Sequence, residues 1–253
     1  MTSILVSLAV EAELAPWRRL RRFRQRQSSN SAVYETTVGC TPVVVVLAGV
    51  GARRADLTAA LAAEHRPGAG IVAGVAGAAK AELEPGDVLV AEAVCDASEN
   101  ETAWSDPWLV DCAERCGAKR VRRFVTVSRI ARTPETKSRL ARAGEAAEME
   151  SMMVMQRWAC EGIPAVAIRT IADSVNDTVP YDFEAASDSA GQVRLQSTFG
   201  QIIRRPWELP SLVRFGIASW RATVSLARYL DRFVEELALQ QSRQSSGLSV
   251  STT

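Results

Sequence analysis

A single histidine, His65, is all that the 253-residue chain contains. So few imidazoles argue against a zinc site, although Cys112 and Cys116 are spaced for one face of a helix. His65 itself stands before Arg66-Pro67-Gly68, where a role at a helix C-terminus suits it. The five cysteines, Cys40, Cys95, Cys112, Cys116 and Cys160, are odd in number and form no disulfide framework, which fits a reducing cytoplasm. No apolar run reaches the ~18 residues of a membrane span, and the one at 4–10 is too short for a secretory signal. Charge of one sign is missing as well: the formal net charge is +1, so nucleic acid is not an expected partner. Gly49-Val50-Gly51 lacks the third glycine and distal acid of a dinucleotide fingerprint, and no cofactor is expected. Internal repeats are absent.

What is present is enough apolar sequence, 47%, for one large core. Residues 1–238 read as a single domain and the Ser-rich 239–253 as an unstructured tail. Short apolar runs alternate with helical stretches, an α/β pattern. A strand at 4–8 leads into a helix at 11–25, with Leu14, Trp17 and Leu20 on one face and Glu13 near its start. Arg18, Arg19, Arg21, Arg22, Arg24 and Arg26 crowd the rest of that helix around Phe23. This run reads first as a solvated face, although basic residues beside Trp17 and Phe23 also suit an interfacial helix on an anionic membrane.

A hairpin of strands at 33–38 and 43–47 feeds Gly49-Val50-Gly51-Ala52-Arg53-Arg54, followed by an Ala/Leu helix to about 64. Glycines at a strand-to-helix turn let backbone amides approach an anion. Next come a buried strand at 70–75, the small-residue turn Ala76-Gly77-Ala78-Ala79, a strand at 88–94 and a polar, turn-rich stretch at 96–106. A helix at 107–117, a strand at 122–127 and a helix at 134–143 capped by Thr133 lead to the central stretch.

There, Glu148-Met149-Glu150-Ser151 opens a helix with Met152, Met155 and Trp158 three apart, and a buried strand then ends on Asp173. Ligands of open α/β sheets collect beyond the carboxyl ends of strands, so Asp173 stands where a reaction site is expected. Arg169, four residues earlier on the same strand and hence the same face, is placed to steady Asp173 or Glu150. Beyond Pro206-Trp207-Glu208-Leu209-Pro210, a long helix carries Val213, Ile217, Trp220, Val224, Ala227, Leu230, Val234 and Leu237 as a core-facing stripe.

Met-Glu entering a helix, followed by Val166-Ala167-Ile168-Arg169-x-Ile171-x-Asp173, resembles the nucleoside phosphorylase and nucleosidase superfamily that includes methylthioadenosine/adenosylhomocysteine nucleosidase. Leu8-Ala9-Val10-Glu11-Ala12-Glu13, Ala48-Gly49-Val50-Gly51, Ala73-Gly74-Val75-Ala76-Gly77 and Pro85-Gly86-Asp87-Val88 agree in the right order. The resemblance implies a three-layer αβα fold with a central mixed, twisted sheet, and cleavage of the N-glycosidic bond of an adenine nucleoside. It implies that Asp173 protonates or hydrogen-bonds the purine at N7, Glu13 orients the attacking water, and Glu150 grips the ribose hydroxyls with Met149 against the sugar. Gly74 and Val75 would border the substrate. Trp104 would stack on the base or, equally, anchor the following helix.

Gly51, Arg53 and Arg54 keep phosphate open as a co-substrate, whereas Val72 and Val75 replace the Arg and Ser of bacterial phosphorolytic members, which argues for water. Ala172 replaces the serine that commonly precedes the aspartate. The Ala-Asp ending and the stretch Arg205-Pro206-Trp207-Glu208-Leu209-Pro210-Ser211-Leu212 look most like the hopanoid-associated phosphorylase branch, whose substrate would be adenosylhopane. A homodimer and a peripheral contact with the inner membrane face are implied in the same way. Methylthioadenosine/adenosylhomocysteine nucleosidase and purine nucleoside phosphorylase are the close alternatives, and a nucleoside-sensing module without catalysis is the distant one.

Overall fold

Runs of apolar residues make the strands, and the sheet they build brings Glu13, Glu148, Glu150 and Asp173 to one edge. The computed structural model describes residues 2–26, 32–179 and 209–247, with side chains of the last segment from 214 to 243. In order these are β1 (Ile4–Leu8), α1 (Glu11–Leu20), β2 (Arg24–Gln25), β3 (Val33–Val38), β4 (Thr41–Leu47) and a 3-10 turn (Val50–Ala52). Then follow α2 (Ala55–His65), β5 (Ala69–Ala78), β6 (Val88–Asp96), β7 (Thr102–Trp104), α3 (Pro107–Arg115), β8 (Lys119–Thr126) and α4 (Pro134–Leu140). The chain continues through β9 (Ala146–Glu148), α5 (Ser151–Cys160), β10 (Ala165–Asp173) and α6 (Leu209–Gly247).

The strands form one mixed sheet in the order β10-β6-β8-β9-β5-β1-β4-β3-β2, with β7 beside β6. β5 also pairs with β10, so part of the sheet closes on itself. β4, β1, β5 and β10 run parallel, which places their carboxyl ends on one edge. β9 arrives at that edge antiparallel to the end of β5. Helices cover both faces: one apolar cluster joins Leu14 and Trp17 of α1 and Leu109 of α3 to Leu226, Leu230 and Phe233 of α6, and another joins Leu61 of α2 to Met155 and Trp158 of α5. This is the expected α/β architecture. Trp158 seats over Gly70, where a Cβ would lie 2.7 Å from its ring.

The expected cap at Thr133 forms, and Asp106 supplies another. The Thr133 hydroxyl accepts from the Thr136 amide and the Asp106 carboxylate from that of Leu109, each ahead of a proline in the first turn. Arg66, in the left-handed region with its amide on the Ala62 carbonyl, closes α2 after His65.

Three helical expectations need correction. α1 ends at Leu20, because Arg21 is extended and Arg24–Gln25 pairs with β3, so the basic run is not one helix. Leu20 is accordingly exposed, while Trp17 is fully buried and donates through Nε1 to Asp231. Arg21 bonds Asp231 and Glu235 of α6, which turns that side of the run inward. On α6, Ala227, Leu230, Val234 and Leu237 are buried as expected, but Ile217 and Trp220 are exposed and the core contact begins at Ala222. The helix also runs through Gly247, past the expected start of the tail, and Gln240 bonds Glu236 and Cys112. Val213 and the stretch 205–208 lie outside the described residues or side chains. Among the described residues no helix is long and apolar enough to cross a membrane.

Candidate active site

Glu13 sits in the first turn of α1, directly after β1. One carboxylate oxygen turns back to the amides of Ala9 (2.7 Å) and Val10 (3.3 Å), as a capping residue does, and the other accepts from Val75 at the end of β5 (3.0 Å). Burial pushes this carboxyl up, against the Arg169 charge and the three amides. Gly74 lies under it: a Cβ there would come within 2.8 Å of Glu13 Oε1 and 3.2 Å of Arg169 Nη1. Only a residue without a side chain lets these groups meet over the strand.

Arg169 is fully buried and holds a carboxylate that sequence reasoning left without a role, Glu148. The guanidinium also bonds the Ser151 hydroxyl and the Val72 and Ile168 carbonyls. Glu148 is saturated, accepting besides from Thr126 and from the amides of Glu150 (2.9 Å) and Ser151 (2.8 Å) at the start of α5. Burial alone would raise its pKa, but Arg169, Thr126 and those amides prevail and hold it below the usual carboxylate value. Glu150 is the looser partner. One oxygen accepts from the Gly51 amide (3.0 Å) and the other is 3.7 Å from Arg169 Nη2. Burial first, then the Glu148 charge, pushes its pKa up to about 7.

Asp173 belongs to a second cluster. The β5–β10 register runs Arg169 opposite Gly74 and Ile171 opposite Ala76, then slips so that Asp173 faces Gly77. One extra residue reverses the facing of everything after it, so the expectation that Arg169 and Asp173 share a face fails at Ala172. The cation on Asp173 is instead Lys137 of α4, which is 1% exposed in its side chain and was not anticipated. The Asp173 carboxyl is raised by burial, against the Lys137 charge and hydrogen bond. A Cβ at Gly77 would stand 3.1 Å from Asp173 Oδ2. Asp173 lines a cavity of about 450 Å³ with Pro85, Asn176, Asp177, Arg214 and Phe215. Glu13 and Glu150 are not among the residues that line it.

The remaining expected residues divide. Val75 gives its amide to Glu13, and Met149 is half-buried between Glu148 and Glu150. The anion cradle is largely committed: the Gly51 amide goes to Glu150 and Arg54 turns back to the Leu47 carbonyl, while Arg53 is exposed. Trp104 is misplaced as a base partner. It pairs opposite Ala93, and the nearby Asp106 amide bonds the Ala165 carbonyl at the far end of the nine-residue β10, roughly 25 Å from Asp173 by strand rise. At 75% exposure it anchors little. No sequence signal singles out Lys137: nothing in Pro134-Glu135-Thr136-Lys137 marks it as buried.

Solved structures share this arrangement of elements. Futalosine hydrolase from Helicobacter pylori, studied as a mutant, superposes with a TM-score of 0.71 at 15% identity, covering 93% of this chain and 100% of that one. S-adenosylhomocysteine nucleosidase from Streptococcus pyogenes, solved with 5-methylthiotubericidin, gives 0.71 at 20% identity, covering 93% and 97%. The methylthioadenosine/S-adenosylhomocysteine nucleosidase of Neisseria meningitidis, solved with methylthio-immucillin-A, gives 0.71 at 19%, covering 93% and 99%. No curated protein matches the sequence. The sequence profile of the Phosphorylase superfamily matches residues 3–205, nearly the whole span from β1 to the segment before α6, and the chain belongs to that superfamily.

Proposed function

We propose that the protein hydrolyses the N-glycosidic bond of an adenine nucleoside and releases adenine. The observation that carries this reading is the pair of charged clusters at the carboxyl end of β5, one over Gly74 and one over Gly77. Gly74 and Gly77 are three residues apart, about 10 Å by strand rise, and a nucleoside reaching past the β10 slip would meet one cluster with its sugar and the other with its base. Glu150, with one oxygen fixed by Gly51, accepts hydrogen bonds from the ribose hydroxyls. Glu13 takes a proton from water as the water oxygen bonds to C1′. The C1′–N9 bond breaks with its electron pair passing to the base, and Asp173 gives a proton to N7, so that adenine leaves neutral. A proton returning through solvent from Glu13 to Asp173 resets the site. Burial raises both carboxyls: at Asp173 it favours the protonated form that donates, and at Glu13 it strengthens the base that accepts.

Water is favoured over phosphate because the backbone amides at the site already serve carboxylates: Gly51 serves Glu150, and Val75 serves Glu13. An incoming phosphate would have to displace an acid or face it. The finer reading is a lipid-linked adenine nucleoside, adenosylhopane, acted on by a homodimer at a membrane face. It gives the exposed Ile217 and Trp220, beside the cavity-lining Phe215 and Ala218 on α6, an apolar group to meet. Measuring free adenine from adenosylhopane and from methylthioadenosine, each with and without phosphate, tests both levels. Adenine with free sugar as the co-product is expected. Sugar 1-phosphate as the product would replace hydrolysis by phosphorolysis, and no base from either nucleoside would overturn the reading.

A further inference from the structure

Lys137 is buried, sits outside every motif of the sequence, and is bound entirely by groups around the end of β10. Its Nζ donates to Asp173 Oδ2, to the Ser174 carbonyl (2.7 Å) and to the Asp177 carbonyl (2.8 Å). Three acceptors on one nitrogen require three N–H groups, which only the ammonium has. The strap extends further: the Val179 amide bonds the Arg132 carbonyl, and Asp177 closes a turn on the Ser174 amide and hydroxyl. Among the described residues Asp173 Oδ1 accepts no hydrogen bond, while Oδ2 is taken. The two oxygens of one carboxyl are thereby made unequal.

We infer that Lys137 is a positioning residue for leaving-group protonation, fixing Asp173 through Oδ2 so that Oδ1 presents the proton to the departing base. The inference rests on the nucleosidase reading above. Once the proton has moved from Oδ1 to the base, the carboxylate left behind is compensated by the adjacent ammonium. A simple strap would hold the β10 exit without touching the chemistry. The other charges near Asp173 are Asp177 on the following turn, and Arg214 and Arg221 of α6 across the cavity. All three remain when Lys137 is replaced.

The test compares wild type, Lys137→Arg and Lys137→Met on a purine nucleoside and on p-nitrophenyl riboside, whose leaving group departs without a proton. With Lys137→Met, kcat on the purine nucleoside should fall roughly 100-fold, while the activated riboside should lose less than about threefold. The alkaline limb of the purine pH profile should move up by about 1–3 pH units, because the carboxyl has lost the cation that favoured its ionised form. Lys137→Arg should keep the limb near its wild-type position. Should Lys137→Met not fold, Lys137→Gln, which keeps donors without charge, carries the same comparison. Equal losses on both substrates, or an unmoved limb, would overturn the inference and leave Lys137 a strap. Failure of the wild-type protein to release base from any nucleoside would instead overturn the nucleosidase reading itself.

Discussion

Arg169 and Lys137 are both buried cations at the carboxyl edge of one sheet, yet they sit in opposite electrostatic conditions. Arg169 answers to Glu148, Glu150 and Glu13, so its cluster carries surplus negative charge, and the Glu148 charge adds to burial in raising Glu150. Lys137 hydrogen-bonds Asp173 and two carbonyls, and the nearby Asp177 is met by Arg214 as well as by Lys137, so this cluster is locally balanced. The surplus cluster has one acid saturated and two left adjustable, which suits a sugar whose charge changes during reaction. The balanced pair suits a single proton handed over at a fixed place. The β10 bulge at Ala172 separates them.

The largest test of this contrast removes the shared cation. Arg169→Met leaves three buried carboxylates without their counter-charge and should cost about 3–5 kcal/mol, read as a lower chemical-denaturation midpoint. Lys137→Met should cost less, since Asp173 can protonate; equal costs would break the comparison. Next, Gly74→Ala forces a Cβ against Glu13 Oε1 and Arg169 Nη1 and should destabilise by about 1–3 kcal/mol with loss of turnover.

Glu150→Gln should move stability and activity in opposite directions. In the folded protein Glu150 holds its proton up to about 7, above its ordinary 4.5. Its stabilising contribution is therefore complete below about 4.5 and is lost as pH rises through 7. The variant should be more stable than wild type by about 1–3 kcal/mol at pH 8 and little changed at pH 4, while releasing far less base. Denaturation curves at the two pH values check the sign. The smallest effect is expected from Trp104→Ala, less than about twofold in base release and within about 0.5 kcal/mol in stability, because it stands exposed at the wrong end of β10.

Much of this was legible in the chain. Continuous apolar strands and the rule that ligands collect at their carboxyl ends pointed to Asp173, and the position of Glu13 after β1 and of Glu150 before α5 followed from period alone. Partners were harder to read than positions. Strict alternation along β10 would pair Arg169 with Asp173, but a single-residue slip is invisible in Ile171-Ala172-Asp173. Glu148 looked like one charge of an acidic turn because its four donors come from three separate segments. Lys137 was missed because a lysine in a short polar helix normally faces water. Trp104 was misassigned because β7 folds back on β6, which carries it away from the site, and the basic run was overextended because Arg21 leaves the helix to bond α6.

The proposed cleavage needs two acids from different clusters on one nucleoside. The most direct measurement is single-turnover adenine release by wild type, Glu13→Gln and Asp173→Asn, with folding checked by circular dichroism. Each folded variant should lose at least about 100-fold. A folded variant that releases adenine at the wild-type rate would show that its cluster takes no part, and the proposed division of labour would be wrong.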